Sequence, residues 1–101
     1  MTPNVAAIVL LSFTSTGNPI ELAWSAPTEN VDGSAIVAPL TYNVYRSHNG
    51  AAYKLTVHAG ISTTKATISN VTAGATECFE VTAIEGGVES SRSLPSCITV
   101  P

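Results

Sequence analysis

The sequence predicts an all-β protein, a seven-stranded antiparallel β-sandwich that forms one domain over residues 1–101. Short runs rich in β-branched and aromatic residues alternate apolar with polar positions, and turn residues separate them about every 8–12 positions. No apolar set recurs at helical spacing, and no helix capping box is present. A chain of 101 residues is long enough for one hydrophobic core and too short for a second.

The first half of the chain predicts four strands. They are residues 5–13, 20–25, 42–46 and 53–57. In the second strand, Ile20, Leu22 and Trp24 alternate with more polar neighbours, so one face of that strand is expected in the core. Between the third and fourth strands, Asn49-Gly50 predicts a type I′ hairpin turn, because both residue types accept positive φ angles.

The second half of the chain predicts three more strands. They are residues 65–69, 77–84 and 97–100. Ala66 and Ile68 fall on one side of the fifth strand, and Phe79, Val81 and Ala83 on one side of the sixth. These residues are the predicted inward-facing sets, since side chains two positions apart share a face of a strand.

The same alternation predicts a disulfide between the last two strands. Cys78 falls on the outer face of the sixth strand, and Cys97, next to the inward-facing Ile98, falls on the outer face of the seventh. Cysteines on one face of neighbouring antiparallel strands can face each other directly, which here centres the hairpin turn between Gly87 and Val88. A persistent disulfide indicates an oxidising location, such as the cell exterior or a released virion.

Four segments together resemble a fibronectin type III domain over about residues 3–101. They are Ile20-Glu-Leu-Ala-Trp24-Ser-Ala-Pro27, Tyr42-Asn-Val-Tyr-Arg46, Val71-Thr-Ala-Gly-Ala-Thr76 and Phe79-Glu-Val-Thr-Ala83. The loop at 26–34 and the Cys78/Cys97 pair resemble a bacterial and phage subgroup. The resemblance implies an immunoglobulin-like sandwich and a non-catalytic spacer, adhesion or decoration module. Glu77 stands where the family has a tyrosine, so we expect the disulfide to take over part of that residue's role.

Charge excludes two classes of partner. Only 11% of the residues are charged, against about 25% in ordinary soluble proteins, and the net charge is −3. The four cations are scattered along the chain, so no basic face is expected for nucleic acid or an anionic membrane. The apolar run at 5–11 has no preceding cation and is too short to span a bilayer, which favours a strand over a signal peptide or membrane helix.

The titratable residues form no recognisable catalytic, cofactor-binding or metal-binding motif. The chain has one Asp, six Glu and two His, and we expect His48 and His58 to be solvated loop residues. Glu77 and Glu80 lie three positions apart on a strand and therefore face opposite sides. We predict that the protein is not an enzyme, with no catalytic residues, no cofactor and no metal.

The predicted first strand is apolar on both faces. Ala6, Ile8 and Leu10 form the second apolar face, whereas an edge strand ordinarily has one wet face. Either a bulge or sheet crossing buries both sets in turn, or this edge docks onto another chain. Ile36 and Val37 lie in an apolar segment of the long loop at 27–39, after the second strand, and are further candidates for an interaction surface. The alternative is that this segment packs into the core.

Two functions from different classes fit this sequence. The favoured one is a complete small structural protein of a virion, a phage capsid decoration or tail protein, whose partners are capsid or tail proteins or further copies of itself. An initiating Met, no signal peptide, low charge and the apolar first strand support it. The alternative is a spacer or carbohydrate-associated module of a secreted bacterial protein, for which only Tyr45 and Tyr53 are candidate sugar-stacking residues. The expected location is virion or extracellular.

Overall fold

Alternating apolar residues build two antiparallel sheets that face each other, as the sequence predicts. The computed structural model describes residues 11–15, 19–29, 33–36 and 39–101, and these residues contain eight strands and no helix. The strands are β1 (Leu11–Ser15), β2 (Ile20–Trp24), β3 (Thr41–His48), β4 (Lys54–Leu55), β5 (Lys65–Ile68), β6 (Thr76–Glu85), β7 (Val88–Glu89) and β8 (Ser96–Thr99).

The smaller sheet has the order β1-β2-β5. Leu22 pairs with Phe13 on one side and with Ala66 on the other, so the central strand β2 is held at both edges. Phe13 is partly buried and meets Phe79 of the opposite sheet edge-to-face, with ring centroids 6.2 Å apart. Residues 5–10 of the predicted first strand lie outside the described residues.

The larger sheet has the order β4-β3-β6-β7, and β8 also pairs with β6. The β3–β6 ladder is the longest, running from Thr41 opposite Ile84 to His48 opposite Glu77. Because side chains alternate along both strands, this register decides which residues of the two longest strands enter the sandwich.

The core lies between the sheets and contains the predicted inward-facing residues. Trp24 and Tyr42 cross it with ring centroids 5.5 Å apart in an edge-to-face arrangement. Burying each large apolar side chain stabilises the fold by roughly 1.5–3 kcal/mol. The buried core residues are Ile20, Leu22, Trp24, Tyr42, Val44, Ala66, Ile68, Val71, Phe79, Val81, Ala83 and Val100.

The Asn49-Gly50 turn is confirmed, but the strand that follows it is shorter than predicted. Both turn residues have positive φ, 49° and 81°, as a type I′ turn requires. The predicted strand at 53–57 is reduced to Lys54–Leu55. The ladder shifts at Val57, because Val44 accepts a hydrogen bond from the Thr56 amide yet donates to the His58 carbonyl. Val57 is left outside the pairing.

The disulfide is confirmed, and the predicted position of the last turn is wrong. Cys78 pairs directly with Cys97, with their Cα atoms 4.0 Å apart. The turn, however, is Gly86-Gly87, since Glu85 pairs with Val88, and both glycines have positive φ, 58° and 81°. Two consecutive glycines satisfy both central positions of a type I′ turn, which a turn centred between Gly87 and Val88 does not.

The segment at 90–95 accommodates a change of register along β6. Glu85 pairs with Val88 at the turn, whereas Cys78 pairs with Cys97 at the disulfide. The segment belongs to no strand, so β7 and β8 pair with β6 as two separate pieces, and β7 is a strand that the sequence did not predict.

Ser90 and Ser93 keep this segment attached to β6. The Ala83 and Val81 amides donate to the hydroxyls of Ser90 (2.9 Å) and Ser93 (3.0 Å), and the serine amides donate back to the carbonyls of the same two residues. Serine hydroxyls thus stand in for the backbone carbonyls of a regular strand.

Replacing both cysteines, Cys78→Ala with Cys97→Ala, should lower the free energy of unfolding by about 3 kcal/mol, because the unfolded chain gains the entropy of an open loop. Urea unfolding monitored by Trp24 fluorescence measures it. Reducing the wild-type protein should give the same loss as the double variant. Two reactive thiols in denatured, unreduced protein would contradict the bridge.

The substitution Ser93→Ala should destabilise the protein by about 1–3 kcal/mol, because it leaves the buried Val81 amide without its hydroxyl acceptor. Ser91→Ala is the matched control: Ser91 is exposed, and the change should cost less than about 0.5 kcal/mol. Equal urea midpoints for the two variants would show that the hydroxyl does not act as a strand acceptor.

Candidate functional site

A buried carboxylate lies at one end of the sandwich. Glu77 has the same parity on β6 as Phe79 and Val81, so its side chain points inward, and its exposed fraction is 0%. The inward-facing residues of β3 at this end are Arg46 and His48, and His48 pairs directly with Glu77. The β3–β6 register therefore brings an arginine, a histidine and a glutamate together between the sheets.

Three short contacts satisfy this carboxylate. Arg46 donates from Nε to Oε1 (2.8 Å) and from Nη2 to Oε2 (2.9 Å), a bidentate pair. His48 Nδ1 lies 2.6 Å from Oε2. The Arg46 hydrogen bonds hold the pKa of Glu77 below its usual range, against the opposing effect of burial and with help from His48. The same pair raises the pKa of Arg46.

This cluster corrects one expectation from the sequence. His48 is the last residue of β3 instead of a loop residue, although its side chain remains 51% exposed, and it contacts Glu77. Glu77, in the position of the family tyrosine, itself accepts hydrogen bonds from Arg46 and His48 of β3, and the disulfide of the adjacent Cys78 links the same end of β6 to β8. The alternation that placed Phe79 inward also placed Glu77 inward, and this was the signal that sequence reasoning missed.

A cleft of about 890 Å³ opens beside this cluster, between β4 and β5. Both histidines and two of the four Lys and Arg residues line it, whereas no carboxylate lines it among the described residues. His58 lies in the loop after β4, as expected, and it donates from Nε2 to the Thr67 carbonyl (2.8 Å) across the cleft. The lining residues are Arg46, His48, Ala51, Ala52, Lys54, Leu55, Thr56, Val57, His58, Thr67, Ile68, Ser69 and Asn70.

A second polar network lies on the outer face of the larger sheet. Glu89 Oε2 accepts hydrogen bonds from Asn43 Nδ2 (3.2 Å), Tyr45 hydroxyl (2.5 Å) and Thr82 hydroxyl (2.6 Å). Burial alone raises the pKa of Glu89, but these hydrogen bonds outweigh it and hold the pKa below its usual range. Burial and the Glu89 hydrogen bond raise the pKa of Tyr45.

Tyr45, one of the two candidate sugar-stacking residues, belongs to this network and has one ring face covered. The Arg92 guanidinium lies over the Tyr45 ring, 4.1 Å from its centroid, and also reaches Glu80 at 3.4 Å. A sugar ring stacking on that face of Tyr45 must first displace Arg92. Tyr53, the other candidate, is half-buried.

Four large apolar side chains are exposed in the part of the chain that the structure describes, and all four lie at the two edges of the larger sheet. Leu55 (51% exposed) and Val57 (93%) belong to the β4 edge. Val88 (38%) and Leu94 (84%) belong to the opposite edge, in β7 and in the segment between β7 and β8. Leu55 and Val57 alternate with Lys54 and Thr56, a pattern that predicts a half-buried strand, and Val88 and Leu94 belong to no periodic run, so the sequence did not predict that these side chains are exposed.

The surface that the sequence did predict falls mostly outside the described residues. Ala6, Ile8, Leu10 and Val37 lie there, and their role in an interaction stays a prediction. Ile36 is described and is half-buried, next to the bridge between Glu29 and Ala35.

Neither a metal-binding cluster nor a membrane-spanning helix is found within the described ranges. No group of three or more His, Cys, Asp or Glu side chains among these residues lies close enough to hold a metal ion. These residues also contain no helix with the length and apolar character needed to cross a membrane.

Solved structures share this architecture. A Fn3-like protein from Clostridium thermocellum is 29% identical, with a TM-score of 0.70, and the match covers 100% of this chain and 96% of that one. A human fourth FNIII domain is 18% identical (TM-score 0.77, covering 100% and 81%). The twitchin kinase region from C. elegans is 17% identical (TM-score 0.76), and this chain spans only 17% of it. Neither a family model nor a curated protein matches the sequence.

The substitution Glu77→Gln should lower the free energy of unfolding at neutral pH by about 3 kcal/mol, the lower end for a broken buried ion pair, because Arg46 keeps some contact with water. Because folding lowers the pKa of Glu77, its contribution is present above the unfolded value of about 4.3 and is lost as the pH falls towards the folded value. Urea unfolding over a pH series should show the two proteins converging in acid.

Glu80→Gln is the control, because the Glu80–Arg92 pair is long and partly exposed and should contribute only about 0–1 kcal/mol. Equal losses for the two variants, or a Glu77→Gln deficit that persists unchanged in acid, would contradict the role given to the buried carboxylate.

Proposed function

We propose that this chain, which has the fibronectin type III fold with a Cys78–Cys97 disulfide between its last two strands, is a non-catalytic module that docks on a larger protein assembly. Fibronectin type III domains are typically non-catalytic modules and commonly mediate protein–protein interactions. The fold indicates only this general class of function, so the kind of partner has to be argued from the surface residues of this chain.

The observation that carries the proposal is the placement of the exposed apolar side chains. Leu55 and Val57 lie at one edge of the larger sheet, and Val88 and Leu94 at the other. Exposed apolar side chains grouped at sheet edges are typical of surfaces that contact other proteins. Two such groups on opposite edges fit a protein with more than one neighbour, as in an assembly.

The assembly that we propose is a virion, in which the chain is a phage capsid decoration or tail protein. A low content of charged residues, the disulfide and the apolar sequence around Ala6, Ile8 and Leu10, which is predicted to form the first strand, support this proposal. A disulfide persists on a released particle or outside the cell, and we place the protein there. Its partners are then capsid or tail proteins, or further copies of the chain.

The alternative, a spacer or carbohydrate-associated module of a secreted bacterial protein, has less support. Carbohydrate binding needs an aromatic face open to a sugar ring, and Arg92 covers the Tyr45 ring. Tyr53 remains as a single half-buried candidate. A spacer role makes no demand on the exposed edges and leaves them unexplained.

Mass spectrometry of particles purified from the source organism tests the proposal. Tryptic peptides of this chain should be enriched in banded virions relative to the secreted protein fraction. Recovery of these peptides only from a long secreted polypeptide would favour the alternative and overturn the virion assignment.

A binding assay on the same particles tests the predicted first-strand surface. Ile8→Lys with Leu10→Lys should weaken binding of the added chain to stripped particles by about tenfold or more, because two apolar contacts are replaced by charges. Ala73→Lys, at an exposed turn residue, is the control and should bind as the wild type does. Unchanged binding by the double variant would exclude the first strand as the docking surface.

A further inference from the structure

We propose that the Leu94 edge of one copy docks into the β4–β5 cleft of a second copy, so that chains associate head to tail. The proposal rests on the proposed function only in taking the module to bind protein. It adds the identity of one partner, a second copy, and the two surfaces that meet.

The protruding surface is the edge formed by β7 and the segment that follows it. Leu94 is 84% exposed, and Val88 lies on the same edge. Pro95 follows Leu94 and has no amide hydrogen, so this part of the edge cannot extend the sheet by a regular ladder. A partner therefore has to receive it through side-chain contacts.

The receiving surface is the cleft between β4 and β5. Its outer part is apolar, with Leu55, Val57, Ala51 and Ala52, and Ile68 of the core also lines it. Its volume of about 890 Å³ lies within the range of roughly 300–1,000 Å³ that is usual for ligand pockets. The cleft is therefore large enough for a leucine side chain together with its neighbours.

The charges of the two surfaces favour contact between the cleft of one copy and the Leu94 edge of another. The cleft contains Lys54 and the imidazoles of His48 and His58, while Arg46 is neutralised by Glu77 beneath it. Two clefts facing each other would bring Lys54 against Lys54, and like charges in contact are unfavourable. The edge that carries Leu94 instead has Glu85 and Glu89, and its one cation, Arg92, lies over the Tyr45 ring and is paired with Glu80. Joining opposite edges therefore places carboxylates beside the basic cleft.

The topology makes this contact open-ended. β4 and β7 lie at opposite ends of the strand order β4-β3-β6-β7, so the two docking surfaces face away from each other. Each copy that docks leaves one surface of the pair unoccupied. A heterologous contact of this kind propagates along a row of subunits instead of closing into a two-fold dimer.

Two single variants and their mixture test the proposal on the isolated chain. Leu94→Lys removes the protruding side chain and keeps the cleft, while Val57→Lys blocks the cleft and keeps Leu94. Both positions are highly exposed, so both variants should fold, and circular dichroism checks this. Sedimentation velocity from micromolar to millimolar concentration measures the association.

The wild type should grow beyond the dimer as its concentration rises, and each variant alone should remain monomeric. An equimolar mixture of the two variants should form a dimer and stop there, because each supplies the surface that the other lacks. Ala26→Lys, at an exposed residue after β2 in the other sheet, should associate as the wild type does. Each substitution in an edge should weaken self-association by about tenfold or more.

Three results would overturn the proposal: a wild type that stays monomeric at millimolar concentration, a variant mixture that stays monomeric, and association that Val57→Lys abolishes but Leu94→Lys does not. The last would show that cleft meets cleft. None of these results bears on whether the chain is found on virions, so the proposed function can stand while this inference fails.

Discussion

The register between β3 and β6 is the constraint on which the rest of the structure depends. With Val44 opposite Val81 and Arg46 opposite Phe79, the apolar residues of both strands face the other sheet. A shift of one residue would turn Phe79 outward and bring Cys78 inward. The positions of the disulfide, the buried carboxylate and the core residues therefore all depend on the β3–β6 register.

The start of β6 is held on both of its faces. On the outer face, Cys78 is joined to Cys97 of β8, and on the inner face the preceding residue, Glu77, accepts hydrogen bonds from Arg46 and His48 of β3. Removing a carboxylate from water is costly, and the bidentate contact with Arg46 offsets that cost within the low-dielectric interior. β6 is therefore fixed to one neighbour by a covalent bond and to the other by an ion pair, at the same end of the sandwich.

Alternation was sufficient to predict the architecture, the core and the cysteine pairing, because burial of one face of a strand leaves a period of two in the sequence. Ile20, Leu22, Trp24, Phe79 and Val81 all occupy their expected positions. It was not sufficient for features that arise where strands are irregular. The shift at Val57 and the interruption at 90–95 depend on competition between local hydrogen bonds, and they leave no periodic signal. The candidate cleft and the exposed Leu94 both lie at such irregularities, so the sequence alone did not point to them.

The segment at 90–95, which serine hydroxyls bond to β6, affects how the sequence of the Leu94 edge can vary in evolution. Because Ser90 and Ser93 attach it to β6 by their hydroxyls, the position of the Gly86-Gly87 turn and the position of the disulfide are set separately. The residues between the turn and the disulfide therefore do not have to follow the one-to-one pairing of a continuous strand. Leu94 lies in this stretch with its side chain exposed, so its exchange should change the free energy of unfolding little. The binding specificity of this edge can therefore change in evolution while the fold keeps its stability.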